Sequence, residues 1–461
     1  MRPTVGLLPL YIELYDRAWP ELRARVDGFR TVIAEELEKR GVDVVCPPVC
    51  RVAPEFEAAL RSFEEAGVDA LVSLHLAYSP SLESVDLLAR TSIPLVVLDT
   101  TPTYSFGPTQ KPEELLYNHG IHGVQDLCNL LLRRGKKFEI EAGHWEKSDV
   151  LNRVVSFARA CRMASRMRTS RVGRIGRPFV GMGDFAVNPE QLQRIGIQTV
   201  VAQPSDLARL LDEVRPEAIE EEMRLDRKRF VMVGVDPSSH RDTVRTSLAV
   251  RAWIEQNGLS AFTFNFMEID QKSGIPTVPF LEASHAMARG IGYGGEGDVL
   301  TAALVGVAAS TFPDTTFTEM FCPDWENQAI FLSHMGEMNY RVAARRPILK
   351  TKAFPFTDAC PPVGPVGCFR GGEAVLVNLA PQFGESFALI TAPVTMLDVP
   401  GGDAFQDSVR GWFRPKMSVE SFLEEYSRNG GTHHLALVYG NVARELQKWG
   451  QLMGWKTVAL A

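Results

Sequence analysis

Four positions in the second half of the chain carry side chains that could bind a metal ion together. They are Glu296 in YGGEGD, Glu319 in TTFTEMF, His334 in LSHMGE and one member of the pair His433/His434 in GGTHH. Two carboxylates and two imidazoles form a mixed oxygen and nitrogen ligand set, which suits a divalent ion that keeps positions open for substrate oxygens. The first hypothesis is therefore a metal-dependent enzyme that acts on sugars.

Glu296 lies between glycines, directly before the segment Asp298–Ser310. This segment is apolar almost all round, which predicts a buried helix. A carboxylate at the start of such a helix is favoured by the helix dipole and by free backbone N–H groups. A purely structural helix-terminal anion is therefore an equally good interpretation of Glu296 taken alone.

Glu319 is harder to explain by structure alone. If Thr315–Phe321 is a strand, Glu319 shares a face with Phe317 and Phe321. A carboxylate between two phenylalanines is costly unless a cation or a hydrogen-bond donor meets it. The alternative is a solvated carboxylate at the edge of a sheet.

The histidines extend the same argument. His334 falls on the face of Ile330 and Leu332 in a predicted strand, where a lone histidine is more often a core residue than a ligand. His433 and His434 lead into the apolar strand LALVYG. Adjacent strand residues point to opposite faces, so we expect only one of the pair to face a metal. The residues alone leave open which one.

The overall composition is that of a globular protein. The chain has 461 residues, of which 45% are apolar and 23% charged, and its net charge is −7. This length predicts about three domains, and the negative charge argues against nucleic acid as a partner. The seven cysteines are scattered, which favours reduced thiols. With no signal-peptide pattern and no apolar run of the ~18 residues that a membrane span needs, we expect a cytoplasmic protein without a membrane partner.

The order of apolar and amphipathic segments predicts an α/β fold followed by a mostly β region. In the first hundred residues, short apolar runs alternate with segments of helical period, which is typical of a parallel, doubly wound sheet. A second series follows the basic stretch Arg166–Arg177, with strand candidates at Pro178–Val180, Gln198–Ala202, Phe230–Val235 and Ser260–Phe266. After residue 310, strand-like segments succeed one another with Gly and Pro between them. We expect two Rossmann-like domains, 1–167 and 168–311, and a mostly β domain, 312–461, that carries metal ligands.

Several segments, taken in order, resemble the L-arabinose isomerase family, with the L-fucose isomerases as more distant relatives. They are AFTFNFMEI, GYGGEGD followed by TAAL, TTFTEMF, LSHMGE and GGTHH. Two weaker matches, LHLAYSPS at 74–81 and IHGVQD at 121–126, extend the resemblance into the first half. Each motif is short, but the ordered set at nearly the family's spacing covers most of the chain. The fold that the resemblance implies is that of the fucose and arabinose isomerases.

The resemblance implies a divalent metal, usually manganese, and an aldose–ketose isomerase reaction. It implies metal ligands at Glu296, Glu319, His334 and His434, with both glutamates also catalytic. It implies substrate contacts from Phe266, Met335 and Tyr78, with His433 as a further candidate. His122 resembles a histidine that reaches the active site of a neighbouring subunit. The resemblance therefore also implies a homo-oligomer: a trimer, a tetramer or a hexamer.

The reaction implied is the isomerisation of L-arabinose to L-ribulose, or of a related aldose such as D-galactose, through a cis-enediol. Departures from the family leave the sugar open. The first strand reads LPLYIELYD where the family has a Gly-Ser-Gln turn, Val299 stands in place of a tryptophan, and VQD replaces a charged RE pair after IHG. The alternatives are an L-fucose isomerase-like enzyme, another isomerase, epimerase or lyase that uses the same enediolate, and a non-catalytic sugar-binding protein on this scaffold.

The remaining polar candidates are interpreted as structural. Asp184 in GMGDF is a candidate for a polar contact with the site, although a turn cap is the favoured interpretation. The other histidines are expected to be structural, and His119 is the one whose closeness to His122 most argues otherwise: His75, His119, His144, His240 and His285.

Overall fold

The computed structural model of the chain describes residues 2–270 and 272–461. Its contacts divide the chain into two units, Met1–Arg162 and Met163–Ala461. The boundary predicted between residues 311 and 312 lies inside the second unit, and the three-domain division stays a prediction. None of the helices in the described ranges is long and apolar enough to cross a membrane.

The first unit is built on a five-stranded parallel sheet. Its strands are β1 (Thr4–Leu10), β2 (Asp43–Val45), β3 (Ala70–His75), β4 (Leu95–Asp99) and β5 (Glu139–Ala142), in the order β2-β1-β3-β4-β5. Its helices are α1 (Glu13–Ala18), α2 (Leu22–Lys39), α3 (Ala53–Ala66), α4 (Val85–Arg90), α5 (Gly120–Arg133) and α6 (Val150–Arg168), the last of which continues into the second unit. β3 is buried along its whole length, as the central strands of a parallel sheet are.

The second unit contains the remaining strands and helices. The strands are β6 (Arg171–Ile175), β7 (Gln198–Val201), β8 (Val231–Met232), β9 (Ala261–Phe264), β10 (Gly292–Gly294), β11 (Thr315–Asp324), β12 (Ala329–His334), β13 (Ile348–Thr351), β14 (Val363–Cys368), β15 (Gly372–Pro381), β16 (Phe387–Met396), β17 (Val409–Pro415), β18 (His434–Tyr439) and β19 (Lys456–Ala459). The helices are α7 (Pro189–Arg194), α8 (Pro204–Glu213), α9 (Pro216–Arg229), α10 (Pro237–Gln256), α11 (Phe280–Ala288), α12 (Val299–Thr311), α13 (Val419–Arg428) and α14 (Ala443–Leu452).

These strands form two sheets of different kinds. β10, β9, β6 and β7 make a parallel sheet in that order. In the larger sheet, β16, β15, β18, β11, β12 and β17 are joined by antiparallel pairing, and β17 also pairs with β16. This last pairing closes the six strands into a barrel, which removes the free edges that an open sheet would leave. The predicted fold class, two parallel α/β arrangements followed by a mostly β region, is confirmed.

Helix α12 lies between the two sheets of the second unit. It is buried on every side, packing against β9 and β10 on one side and against β11 and β18 on the other. Its contact with β10 depends on glycine, because a Cβ atom added at Gly292 would lie 2.2 Å from the carbonyl oxygen of Ala302. The packing of α12 thus sets the spacing between the parallel sheet and the barrel.

Two strand predictions in the central region were wrong. Pro178–Val180 forms no strand; the strand instead lies in the basic stretch, at β6, where Val172 and Ile175 are buried and the arginines stay partly exposed. Phe230–Val235 contributes only the two residues of β8, which pair with β13 at the end of the larger sheet and not with the parallel sheet. Short apolar runs do not specify which sheet they join.

His75 is a buried histidine at the end of β3. Neither of its ring nitrogens has a hydrogen-bond partner among the described residues. Its ring occupies the space that a side chain at position 123 would need, since a Cβ added at Gly123 would lie 2.3 Å from His75 Cδ2. Burial lowers the pKa of His75 to about 3, although the charge of Asp126 acts in the opposite direction. The structural interpretation of this histidine is therefore supported.

This histidine should make the first unit sensitive to acid. The unfolded chain protonates His75 near pH 6.5 and the folded chain only near pH 3, so its contribution to stability is complete above pH 6.5 and is lost as the pH falls toward 3. The loss is about 1.4 kcal/mol per pH unit in that interval. Hydrogen exchange of β3 peptides in the full chain, between pH 7 and 4, measures it. His75→Leu should remove this part of the slope; equal slopes in both proteins would contradict the assignment.

Candidate metal centre

The pairing of β11 places Glu319 between two other strands. Glu319 is directly opposite His434 of β18 and Ser333 of β12. The neighbouring Phe317 is fully buried. The predicted second aromatic neighbour is wrong: a bulge follows Met320, and Phe321 is 51% exposed. The carboxylate is nonetheless buried, so the argument that it needs a cationic or donor partner holds.

His334 ends β12 and turns toward this carboxylate. Its Nε2 lies 3.3 Å from Glu319 Oε1, and its ring meets Phe317 edge-on at 4.8 Å between centroids. Its Nδ1 is 2.7 Å from Oε1 of Glu337, whose Oε2 accepts the N–H of Gly336. Because β12 ends here, strict alternation of side chains no longer applies, and the ring reaches the face that carries Glu319.

Glu296 occupies a strained loop at the carboxyl end of β10. Its φ of 61° lies in the left-handed region, which costs a non-glycine residue of the order of 1–3 kcal/mol and is typical of functional sites. The Thr263 hydroxyl bridges the loop, donating to the Gly295 carbonyl and accepting the Gly297 N–H. The Glu296 carbonyl accepts the N–H of Phe179. The surrounding contacts hold the carboxylate in this conformation.

His434 is held from both sides. Its Nδ1 is 2.9 Å from Oδ2 of Asp298, while Oδ1 of the same aspartate caps α12 by accepting the Thr301 N–H. Its ring stacks on Phe185 with 4.9 Å between centroids. This arrangement directs Nε2 toward Glu319 Oε1, 2.9 Å away, and Glu296 Oε2, 3.6 Å away.

His433 also faces the carboxylates, which differs from the expectation that only one of the pair would do so. Its Nε2 lies 3.8 Å from Glu296 Oε2 and 3.9 Å from Glu319 Oε1. β18 begins only at His434, so the alternation of a strand does not govern His433. Asp184 accepts its backbone N–H and lies 2.6 Å from its Nδ1. Asp184 therefore contacts the site, and its interpretation as a turn cap was wrong.

The charges of this cluster strongly perturb one another. Burial raises the pKa of Glu319, but His334 and His434 outweigh burial and hold that pKa far below its usual range. Burial lowers the pKa of His334, yet the nearby Glu337 and Glu319 carboxylates raise it well above the ordinary value. Burial lowers the pKa of His433, but the carboxylates of Glu296 and Asp184 outweigh burial and raise that pKa to about 9. Such mutual stabilisation shows that the carboxylates favour positive charge among them.

The donor atoms fit a divalent cation. One ligand atom each from Glu296, Glu319, His433 and His434 lies within 4.8 Å of all the others. Buried Glu296 Oε2 has no hydrogen-bond partner in the described part of the chain, and His434 Nε2 lies 2.9 Å from Glu319 Oε1. Buried polar atoms without partners are rare. Oxygen and nitrogen donors that converge in this way are what a cation would satisfy.

The other predicted site residues are distributed over both units. Phe266 follows β9 and is buried against Phe179, Phe354 and Phe356. Phe266 lies at the same edge of the parallel sheet as Glu296, because β9 and β10 are parallel and each residue follows the carboxyl end of its strand. Met335 is partly exposed and directly follows His334.

Tyr78 and His122 belong to the first unit. The Tyr78 hydroxyl donates to Asp126, and His122 is exposed on α5. His122 Nδ1 lies 2.5 Å from His119 Nε2, and His119 Nδ1 is 3.4 Å from the Tyr15 hydroxyl. His119 is thus part of the same polar cluster as His122, as its closeness in sequence indicated.

The chain matches two protein-family models. A model of the L-arabinose isomerase central domain matches residues 187–311, and one of the L-arabinose isomerase C-terminal domain matches residues 314–456, together more than half of the chain. The chain belongs to the L-arabinose isomerase family. The L-arabinose isomerase of Anoxybacillus flavithermus is 26% identical over 74% of this chain and 70% of that protein. That of Tolumonas auensis is 24% identical over 94% and 89%.

The sequence did not predict that three carboxylates hold the histidines of the site. Asp298, Glu337 and Asp184 each lie against the Nδ1 of a different histidine: His434, His334 and His433. Two of them had a local signal, because Asp298 is in GEGD beside Glu296 and Glu337 is three residues after His334. Asp184 had none, since its partner lies 249 positions away.

Asp298 should contribute to stability through both of its contacts. We expect Asp298→Ala to lower the free energy of unfolding by about 2–4 kcal/mol, because it removes a helix cap worth about 1 kcal/mol and leaves buried His434 Nδ1 unpaired at about 1–3 kcal/mol. Asp236→Ala is the matched control, since the exposed Asp236 caps α10 and holds no histidine. Urea unfolding measures both. Equal losses in the two variants would show that the His434 contact contributes nothing.

Proposed function

We propose that this chain is a metal-dependent aldose–ketose isomerase that converts L-arabinose to L-ribulose or acts on a related aldose such as D-galactose. The observation that carries the proposal is the convergence of ligand atoms from Glu296, Glu319, His433 and His434 within 4.8 Å, where Glu296 Oε2 has no hydrogen-bond partner among the described residues. The ligands proposed are Glu296, Glu319, His334 and His434, with Mn²⁺ as the ion. Membership of the L-arabinose isomerase family supports the reaction type.

The choice of His334 over His433 as fourth ligand rests on burial, because a carboxylate lies on the Nδ1 of both rings. His334 is buried with its Nδ1 on the fully buried Glu337, while the side chain of His433 is 36% exposed. His434 and His334 also share Phe317 as an edge-on aromatic neighbour. We assign the more exposed His433 to the substrate, where its Nε2–H would donate to a sugar hydroxyl.

The reaction needs proton transfers and no net oxidant. One proton moves between C1 and C2 and another between O1 and O2, by way of a cis-enediol. A bound cation supplies the positive charge that stabilises the developing enediolate and makes the carbon-bound proton more acidic. The carboxylates of Glu296 and Glu319 are the groups proposed to take the proton from one carbon and return it to the other.

The chain also offers apolar contacts for a sugar. Phe266, supported by Phe354 and Phe356, presents an aromatic wall at the edge of the parallel sheet, and Met335 adjoins His334. We propose that both contact the substrate, and we propose Tyr78 as a substrate contact on the family resemblance alone. We further propose a homo-oligomer in which His122 of one subunit contacts sugar bound to its neighbour, as the family resemblance implies.

Removing either catalytic carboxylate should abolish turnover without unfolding the chain. Glu296→Gln and Glu319→Gln keep the side-chain shape but remove the proton acceptor. The measurement is product chromatography after incubation with L-arabinose, D-galactose and L-fucose, with and without Mn²⁺, alongside circular dichroism. Wild-type rates in either variant would refute the role of that residue. Sugar binding by the wild type without any product would favour the non-catalytic alternative, and a product epimeric to the substrate would favour an epimerase.

The Mn²⁺ affinities of two variants should show whether His334 or His433 is the fourth ligand. We expect His334→Gln to weaken Mn²⁺ binding strongly, by about 100-fold or more, because a ligand should matter more than the supporting groups whose loss costs 10–100-fold. His433→Gln should leave Mn²⁺ affinity nearly unchanged and raise KM. Calorimetric titration of Mn²⁺ into the sugar-free protein gives the affinity. The reverse ranking would make His433 the ligand.

A further inference from the structure

Lys352 is a cationic side chain directly behind the segment that carries His334. It follows β13, where its backbone N–H donates to the Pro362 carbonyl. Its Nζ donates to the carbonyl oxygen of Met335 at 2.9 Å. A Cβ added at Gly336 would lie 3.3 Å from the same Nζ. The ammonium group is therefore packed against the Met335–Gly336 backbone, and burial lowers its pKa to about 8 although the charge of Glu337 opposes that shift.

Glu337 contacts the other side of the Met335–Gly336 segment. The carboxylate is completely buried; Oε2 accepts the Gly336 N–H at 2.7 Å and Oε1 lies 2.7 Å from His334 Nδ1. In the described part of the chain, its ion-pair partner is His334. Lys352, the Met335–Gly336 backbone, Glu337 and His334 thus form one continuous series of polar contacts.

Glu337 and Lys352 contact the two polar groups of one peptide unit. Glu337 accepts the Gly336 N–H, and Lys352 donates to the Met335 carbonyl. A carboxylate on the Nδ1 of a ligating histidine orients the ring, so contacts that fix this carboxylate and its peptide also fix the ring. The charge of Lys352 also interacts with the buried Glu337 carboxylate.

We propose that Lys352 is a positioning residue of the metal centre: it holds the Met335–Gly336 backbone and balances the charge of Glu337, which keeps His334 oriented for a divalent cation. Lys352 touches neither the metal nor the sugar in this role. The inference rests on the proposed function, because it assumes that His334 is a ligand.

The test is the affinity of the sugar-free protein for Mn²⁺, measured by calorimetric titration of the EDTA-treated and dialysed full chain. We expect Lys352→Met to weaken Mn²⁺ binding by about tenfold, the lower end of what loss of a group supporting a ligand costs. Lys352→Arg, which retains charge and donors, should recover most of the affinity. Lys350→Met is the matched control, because Lys350 lies two residues earlier, on β13, but pairs with Asp407; its affinity should equal that of the wild type.

The thermal unfolding of the metal-free proteins separates positioning from general support of the fold. We expect Lys352→Met and Lys350→Met to unfold at similar temperatures without metal and to differ only in how far Mn²⁺ raises that temperature. Unchanged Mn²⁺ affinity in Lys352→Met, equal weakening in Lys350→Met, or no recovery in Lys352→Arg would overturn the inference while leaving the proposed function standing. A wild-type protein that binds no Mn²⁺ would overturn both.

Discussion

The antiparallel register of β11 is the constraint on which the candidate centre depends. Glu319 lies opposite His434 of β18 and beside the end of β12. Its carboxylate is therefore within 3.3 Å of two imidazole nitrogens, from His334 and His434, that are a hundred residues apart in the chain. A shift of one residue would turn Glu319 to the other face of the barrel. The barrel's closure and its apolar interior therefore fix the site as well as the fold.

Carboxylates hold the three histidines of the candidate centre. Each ring has its Nδ1 on an aspartate or a glutamate, and each Nε2 lies within 3.9 Å of Glu319 Oε1. The buried acidic groups place more negative charge here than protein hydrogen bonds alone neutralise, as the unpartnered Glu296 oxygen shows. Protons can balance this charge by settling on the imidazoles, and a cation would do so by displacing them. Metal binding and proton release are thus linked by the construction of the site.

Periodicity was enough to predict the fold class and the burial of Glu319 and His334, but not the contacts that support the candidate site. Strand and helix periods gave β1, β3, β4 and the apolar helix α12, because these elements bury whole faces. The bulge after Met320 and the exit of His433 from its strand were not predictable, since both depend on where a strand stops. Asp184 and Lys352 meet the site through tertiary contacts alone, and no local pattern marks them.

The centre joins two architectures, and α12 is the element that holds them in register. Glu296 comes from a loop after the parallel sheet, while Glu319, His334 and His434 come from barrel strands. Asp298 links the helix to the barrel, because one of its carboxylate oxygens caps the first turn of α12 and the other contacts Nδ1 of His434. The backbone of Glu296 keeps its strained conformation because the surrounding contacts hold the loop. These contacts are the hydrogen bond to Thr263 of β9 and the close glycine packing of β10 on α12. Displacement of α12 would therefore separate the carboxylates before it unfolded either sheet.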